Sequence, residues 1–410
     1  MKNIPAAYCI ILLLTCGVGN AGADEDWGGK LSSMVKGGTA SVDFRYRYEG
    51  ADEAGFDQNA KASTLRSRLT LASASLNNFS ALLEMDDVRT IGWDDYNSTT
   101  NGKTQFPVVA DPVGTDLNQF WFKYRVDEFD TTLGRQRILL GNQRFVGGAA
   151  FRQNEQTFDG LRAQVMPTDK LVLDLSYVSQ INRIFGPEDG ANPATLTGDN
   201  VFFRADYRAS EAHRLSGYGY WLRIDPQSGY TSGKTVDNSS NSLGLEYKGQ
   251  FDKLSLAAAW ARQSDAGDST LDYEADYYMV ELVLGLQAVK LKAGYEVLGS
   301  DNGVGFATPL ATLHKFQGWA DKFLDTPGDG LKDTYLDVSG NIGAVKLGAV
   351  YHDFQAEATS AKFGSEIDLV ASWTVNKQFS VEAKYANFNS DDSSRFSDAK
   401  KGWVTLRLKL

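Results

Sequence analysis

Residues 118–130 read Asn118-Gln119-Phe120-Trp121-Phe122-Lys123-Tyr124-Arg125-Val126, then Asp127-Glu128-Phe129-Asp130. Successive side chains of an extended strand point to opposite sides. Phe120, Phe122, Tyr124 and Val126 therefore share one face, and Gln119, Trp121, Lys123 and Arg125 share the other. The acidic stretch that follows has turn chemistry. One strand and one tight turn suit many β proteins, so the neighbouring segments must decide.

The same alternation continues on both sides. Residues 39–48 set Val42, Phe44, Tyr46 and Tyr48 against Asp43, Arg45 and Arg47, and residues 63–72 set Leu65, Leu69 and Leu71 against Arg66 and Arg68. Residues 170–179, 277–286 and 289–297 follow the rule, and residues 403–410 alternate to the last position. Short connections stand at Ser75-Leu76-Asn77-Asn78, Pro167-Thr168-Asp169, Ala209-Ser210-Glu211-Ala212 and Val375-Asn376-Lys377. Between them lie long polar loops at 90–116, 182–199 and 299–332. Short and long connections alternate, as they do in an outer-membrane barrel with short periplasmic turns and long extracellular loops. Counting segments gives about eighteen strands of roughly 9–11 residues, an even number of the length a tilted membrane strand needs. The expected fold is all-β, a transmembrane antiparallel barrel. A soluble β sandwich would alternate too, but nothing would sort its short turns to one end.

The N-terminus fits that compartment. Lys2, an apolar run at residues 6–14 and Ala21-Gly22-Ala23 have the layout of a secretory signal. The expected division is a signal peptide at 1–23 and a barrel at 24–410, delivered by Sec-type export to a Gram-negative outer membrane. Cys9 and Cys16 both fall in the signal. The barrel would then lack thiols, disulfides and thiolate metal sites. The rival reading, a lipoprotein modified at Cys16, meets the bulky Thr15 just before it. A net charge of −11 argues against nucleic-acid binding. The mean hydropathy of −0.32 looks soluble, yet alternation hides a barrel's membrane signal.

A barrel this wide leaves an aqueous lumen unless something fills it. Its polar face is rich in fixed positive charge: Arg45, Arg47, Arg66, Arg68, Lys123, Arg125, Arg135, Arg137, Arg162, Arg204 and Arg208. Guanidinium forks match carboxylates, and basic rings are a device of anion pores. The plainer reading pairs these groups with Asp43, Glu84, Asp86, Asp174 and Asp206. The expectation is a mixture, with several arginines unpaired at a constriction. The remaining acids, such as Asp94-Asp95, Glu188-Asp189 and Asp391-Asp392, belong in outer loops facing solvent and lipopolysaccharide.

The 299–332 loop stands apart because His314, Lys315, Phe316, Trp319, Asp321, Lys322, Phe323 and Leu324 crowd into it. A mobile outer loop seldom carries so many aromatics. The spacing fits a short amphipathic helix folded against the mouth or into the lumen as a constriction. Asp325, Asp329 and Asp333 hint at calcium but lack the rest of an EF-hand loop.

Two stretches carry a family resemblance. One runs from Leu133-Gly134-Arg135-Gln136-Arg137 through Gly141-Asn142-Gln143-Arg144-Phe145 to Asn154-Glu155-Gln156-Thr157-Phe158-Asp159-Gly160. The other is residues 314–331 with Gly318-Trp319-Ala320-Asp321-Lys322-Phe323 at its core. The chain resembles the alginate-export family of Gram-negative outer-membrane barrels. The resemblance implies an eighteen-stranded, arginine-lined pore that passes an anionic polyuronate such as alginate.

The leading function is thus a passive channel for sugar acids or a polyuronate, without cofactor or catalytic residues. Alternatives are a general diffusion porin, a barrel hydrolase using His213, His314 or His352, and an adhesin. His352 beside Asp353 is the pairing that a hydrolase would use.

Overall fold

The computed structural model describes residues 27–226, 239–267 and 269–410. The expected leader at 1–23, with Cys9 and Cys16, lies outside the described residues. A short helix, α1 (Trp27–Lys36), precedes the strands. These are β1 (Thr39–Glu53), β2 (Ala60–Ala72), β3 (Phe79–Asp95), β4 (Gly114–Val126), β5 (Phe129–Gln136), β6 (Thr157–Thr168) and β7 (Leu171–Asn182). Next come β8 (Thr195–Arg208), β9 (His213–Leu222), β10 (Ser240–Phe251), β11 (Leu254–Asp265), β12 (Glu274–Gly285) and β13 (Val289–Leu298). The chain ends with β14 (Ser300–Asp301), β15 (Val304–Gly305), β16 (Leu331–Ile342), β17 (Val345–Gln355), β18 (Lys362–Thr374), β19 (Phe379–Ser390) and β20 (Ala399–Lys409).

Eighteen of these strands form one antiparallel sheet, while β14 and β15 make a separate hairpin inside a loop. The sheet closes because β1 pairs on both sides, with Tyr46 opposite Leu65 of β2 and opposite Leu406 of β20. Val42 and Leu410 exchange backbone hydrogen bonds of 3.0 and 2.8 Å across the seam. Closure leaves no sheet edge, which a hydrocarbon environment would penalise. No helix among the described residues is long and apolar enough to cross a membrane, so strands make the crossing.

Alternation sorts the side chains. On β1, Asp43, Arg45, Arg47 and Glu49 are buried inside the barrel. On the outer faces Phe122, Leu243, Leu245, Leu282 and Leu336 are exposed, which suits a wall whose solvent is lipid. The barrel strands run from 8 residues in β5 to 17 in β3, so several project beyond the hydrocarbon. The expected loops shrink accordingly to 96–113, 183–194 and 299–330.

The long connections do not all stand out in water. Ile138, Leu140 and Val146 of the 137–156 loop, and Phe306, Leu310 and Phe323 of the 299–330 loop, join one apolar cluster. The wall contributes Phe158, Phe202, Tyr277 and Phe354 to it. Residues of the 96–113 loop, Tyr96, Phe106 and Val109, pack against Ala51, Ala60 and Ala62 in a second cluster. Burial of that much apolar surface, at roughly 25 cal/mol per Å², holds these loops inside the mouth.

Candidate constriction

The 137–156 and 299–330 loops meet inside the barrel. Val146 and Leu310 form a parallel bridge, and Gly147 N–H donates to the Leu310 carbonyl at 2.8 Å. Thr312 donates to Gln143 twice, from its backbone N–H at 3.0 Å and from Oγ1 at 2.8 Å. Gln156 Nε2 donates to both the Gly147 and Leu310 carbonyls at 2.9 Å.

Each loop is tied to a different part of the wall. Arg45 Nη1 donates to the Ala150 carbonyl at 2.8 Å and Nε to Gln153 Oε1 at 3.0 Å, while Arg47 donates to the Phe151 carbonyl. Glu155 accepts from Arg68 Nη1 at 2.7 Å and from Arg137 Nε at 2.5 Å. Burial disfavours its charge, but Arg68 and Arg137 outweigh burial and hold the carboxyl well below the usual carboxylate range. The same loop reaches the far wall through Arg144, which donates to Glu296 Oε1 at 2.8 Å, Thr308 Oγ1 at 2.9 Å and Gln317 Oε1 at 3.2 Å. The 299–330 loop is held by β18, where Glu366 and Asp368 accept from Ala320 N–H at 2.7 Å and Trp319 N–H at 3.2 Å. Gly318 permits this approach. Its φ is +78°, and a Cβ there would lie 2.4 Å from Glu366 Oε2.

His314 sits where the loops cross. Its ring stacks on Phe151 with centroids 3.5 Å apart. Nδ1 is 2.8 Å from Asp321 Oδ1, and Nε2 is 2.8 Å from Lys384 Nζ. The ammonium can only donate, so Nε2 accepts and the proton sits on Nδ1. Burial, with further opposition from Lys384 and Arg152, pushes the imidazole down to about 3, although Asp321 pulls the other way. Arg152 completes the hub, donating to Glu49 Oε2 at 3.0 Å and Asp321 Oδ2 at 3.1 Å. Burial opposes the Asp321 charge, but His314, Lys401 and Arg152 hold its carboxyl far below the usual range.

The residues expected from the sequence are placed as follows. His314, Phe316, Trp319 and Asp321 lie in the inward loop, with Phe316 against Arg144 and Trp319 against Lys384 Nζ. Lys322 ties the loop to Glu53 at 2.5 Å. The expected amphipathic helix is corrected to one 3-10 turn, Leu313–Lys315. Positive φ at Gln317, Gly318 and Asp321 prevents a continuous helix.

Arg45, Arg47, Arg66 and Arg68 face inward but are buried beneath the 137–156 loop. Arg137 bridges Glu84 and Glu155, Arg162 grips Asp174, and Arg204 joins Asp206 and Glu246. Lys123 and Arg125 share Asp130 near the turn end, and Arg208 lies 3.3 Å from Glu211. The expectation of unpaired arginines is therefore corrected: each has a carboxylate or a carbonyl beside it. Arg135 is a second correction. It lies on the row of the exposed Leu133, opposite the exposed Phe120, and faces outward on Asp159 at 2.8 Å.

Sequence reasoning named Lys315 in the inward loop but missed the wall lysines below it. Lys315 Nζ donates to the Asn142 carbonyl at 2.9 Å, where the loops meet the wall. Burial, then the nearby charges of Lys292 and Lys248, lower its pKa. Lys292 lies 3.2 Å from Glu281. The alternating polar face of β13, with Lys290 and Lys292, was the available signal.

The histidines do not assemble a triad. His213 faces outward with Nδ1 2.8 Å from the Tyr247 hydroxyl. The His352 partner is Asp333 on β16, at 2.9 Å, not Asp353, which accepts from Gln355 instead. Asp329 is taken by Arg395 and Asp333 by His352, so the aspartates that hinted at calcium do not converge.

A closed eighteen-stranded barrel with a loop-filled mouth is the architecture of an outer-membrane porin. The comparisons agree. OccK3 (OpdO) of Pseudomonas aeruginosa superposes with a TM-score of 0.72 at 16% identity, over 94% of this chain and 99% of that one. OccAB4 of Acinetobacter baumannii gives 0.68 at 13%, over 91% and 98%. OpdK of Pseudomonas aeruginosa, solved with vanillate, gives 0.69 at 12%, over 92% and 99%. At such identities the likeness concerns the fold. A family model described as alginate export matches residues 39–298, and the chain belongs to that family. No curated protein matches the sequence.

Proposed function

We propose that this outer-membrane, porin-like channel passes small anionic solutes, sugar acids or a polyuronate, by passive diffusion past the paired inward loops. The observation that carries the reading is Lys315, exposed where the loops meet the wall with its ammonium 2.9 Å from the Asn142 carbonyl, while Lys292 and Lys248 add positive charge on the wall below it. Positive charge at a narrow passage raises the local concentration of anions and disfavours cations. The wall arginines support the reading indirectly, by anchoring the 137–156 loop. The solved OpdK complex with vanillate, an aromatic carboxylate, is consistent with it. The pairing of the arginines favours one other reading, a general diffusion porin. Liposome swelling separates the two. Glucuronate should enter faster than glucose, and that advantage should vanish when Lys248, Lys292 and Lys315 are all changed to Gln. Equal rates for both solutes in the unaltered protein would support the general porin.

A further inference from the structure

At the turn end of β8–β12 the inner wall holds a recess of about 350 Å³. The volume lies in the range of small-molecule sites. The strand register puts three cations side by side in it: Arg208 is opposite Arg214, and Arg214 is opposite Lys248. Like charges directly across an antiparallel ladder are unfavourable. The fold repeats this pattern once more, with Arg66 opposite Arg45 and Arg45 opposite Arg407. There Asp43 bridges Arg66 and Arg407, and loop oxygens cover Arg45. In the recess the flanking cations have direct partners, Glu281 also lines the wall, and Asp206 lies within reach of the central charge. Glu211 lies 3.3 Å from Arg208, and Glu246 contacts Lys248. Arg214, in the middle, is exposed and has no ion pair among the described residues.

We infer that the Arg208–Arg214–Lys248 row is a carboxylate-binding subsite at the periplasmic mouth, with space for one sugar acid. The inference rests on the anion-channel reading above and adds a resting place for the solute below the loops. Arg214 would receive the carboxylate, since its fork is the one without a partner. Gln250 and Ser255 line the same recess and offer hydrogen-bonding groups for hydroxyls, and Ala257 and Val283 give it an apolar floor.

The test is calorimetric titration of the refolded full chain in nanodiscs with glucuronate, with glucose and methyl glucuronate ester as uncharged controls. Glucuronate should bind saturably, at least tenfold more weakly in Arg214→Gln, and the controls should not bind. Absence of saturable binding, or equal affinity in Arg214→Gln, overturns the inference. Removing a like charge should leave the unfolding temperature of Arg214→Gln equal or higher, and a fall would mark Arg214 as a structural partner and overturn it too. Lys248→Gln provides a second variant with the same expected weakening. Anion-selective current without glucuronate binding would keep the channel reading and reject the subsite. Binding without current would do the reverse.

Discussion

Replacing Arg152 with Ala should release the loop hub while leaving the barrel intact. The guanidinium joins Glu49 on β1 to Asp321 on the opposing loop at 3.0 and 3.1 Å. Removing it leaves buried carboxylates on both sides, of which Asp321 retains His314 and Glu49 loses both hydrogen bonds from Arg152. Breaking a buried pair by removing one partner costs about 3–5 kcal/mol. At about 1.4 kcal/mol per tenfold, that moves the docked–released balance of the loops by roughly a hundred- to several-thousand-fold. The ladders of the barrel do not pass through Arg152, so the cost falls on docking. Single-channel recording in planar bilayers should show larger mean conductance and strong current noise. Arg152→Lys should recover only part of the effect, because one ammonium cannot grip two carboxylates as a planar fork does. Arg152→Ala channels with the conductance and noise of the unaltered protein, in barrels shown to be folded, would refute the reasoning.

Other outcomes follow from the same geometry. Deleting residues 316–324 should raise conductance, and an unchanged value would show that this loop does not narrow the path. Docking should weaken with acid through His314: its pKa is pushed from 6.5 to about 3 when buried, so its contribution is complete above pH 6.5 and fades as pH falls toward 3. At pH 5 the loss is about 2 kcal/mol, visible as rising current noise between pH 7.5 and 5 that His314→Gln should abolish. Leu245→Arg, on the outer face of β10, should lower unfolding stability in lipid by about 2–4 kcal/mol in urea titrations. Arg135→Ala should leave ion selectivity unaltered in salt-gradient recordings, because Arg135 faces outward.

The barrel was legible because period-2 alternation is local. Val42 to Tyr48 and Phe120 to Val126 state their faces without help from distant residues, and short turns at one end imply closure. The interior of the mouth was legible only in part. Crowded aromatics marked the 299–330 loop, but its partner at 137–156 drew notice only as a family stretch. Arg144, Phe145, Val146 and Phe151 in one polar connection were the overlooked sign of burial. The arginine face read as a pore lining because alternation gives the side of a strand, not what covers it. Arg45 and Arg47 point inward as expected, yet residues 105 and 104 positions further on roof them over. Arg135 misled for a different reason. Its charge alone groups it with the lumen cations, whereas register places it opposite the outward Phe120.

The most direct measurement is the reversal potential of the refolded protein in a planar bilayer under a salt gradient, taken with and without an oligouronate. The account predicts an anion-selective current that the oligouronate blocks, and loss of that selectivity when Lys248, Lys292 and Lys315 are all Gln. A cation-selective or unselective current, indifferent to the oligouronate and to those substitutions, would contradict it.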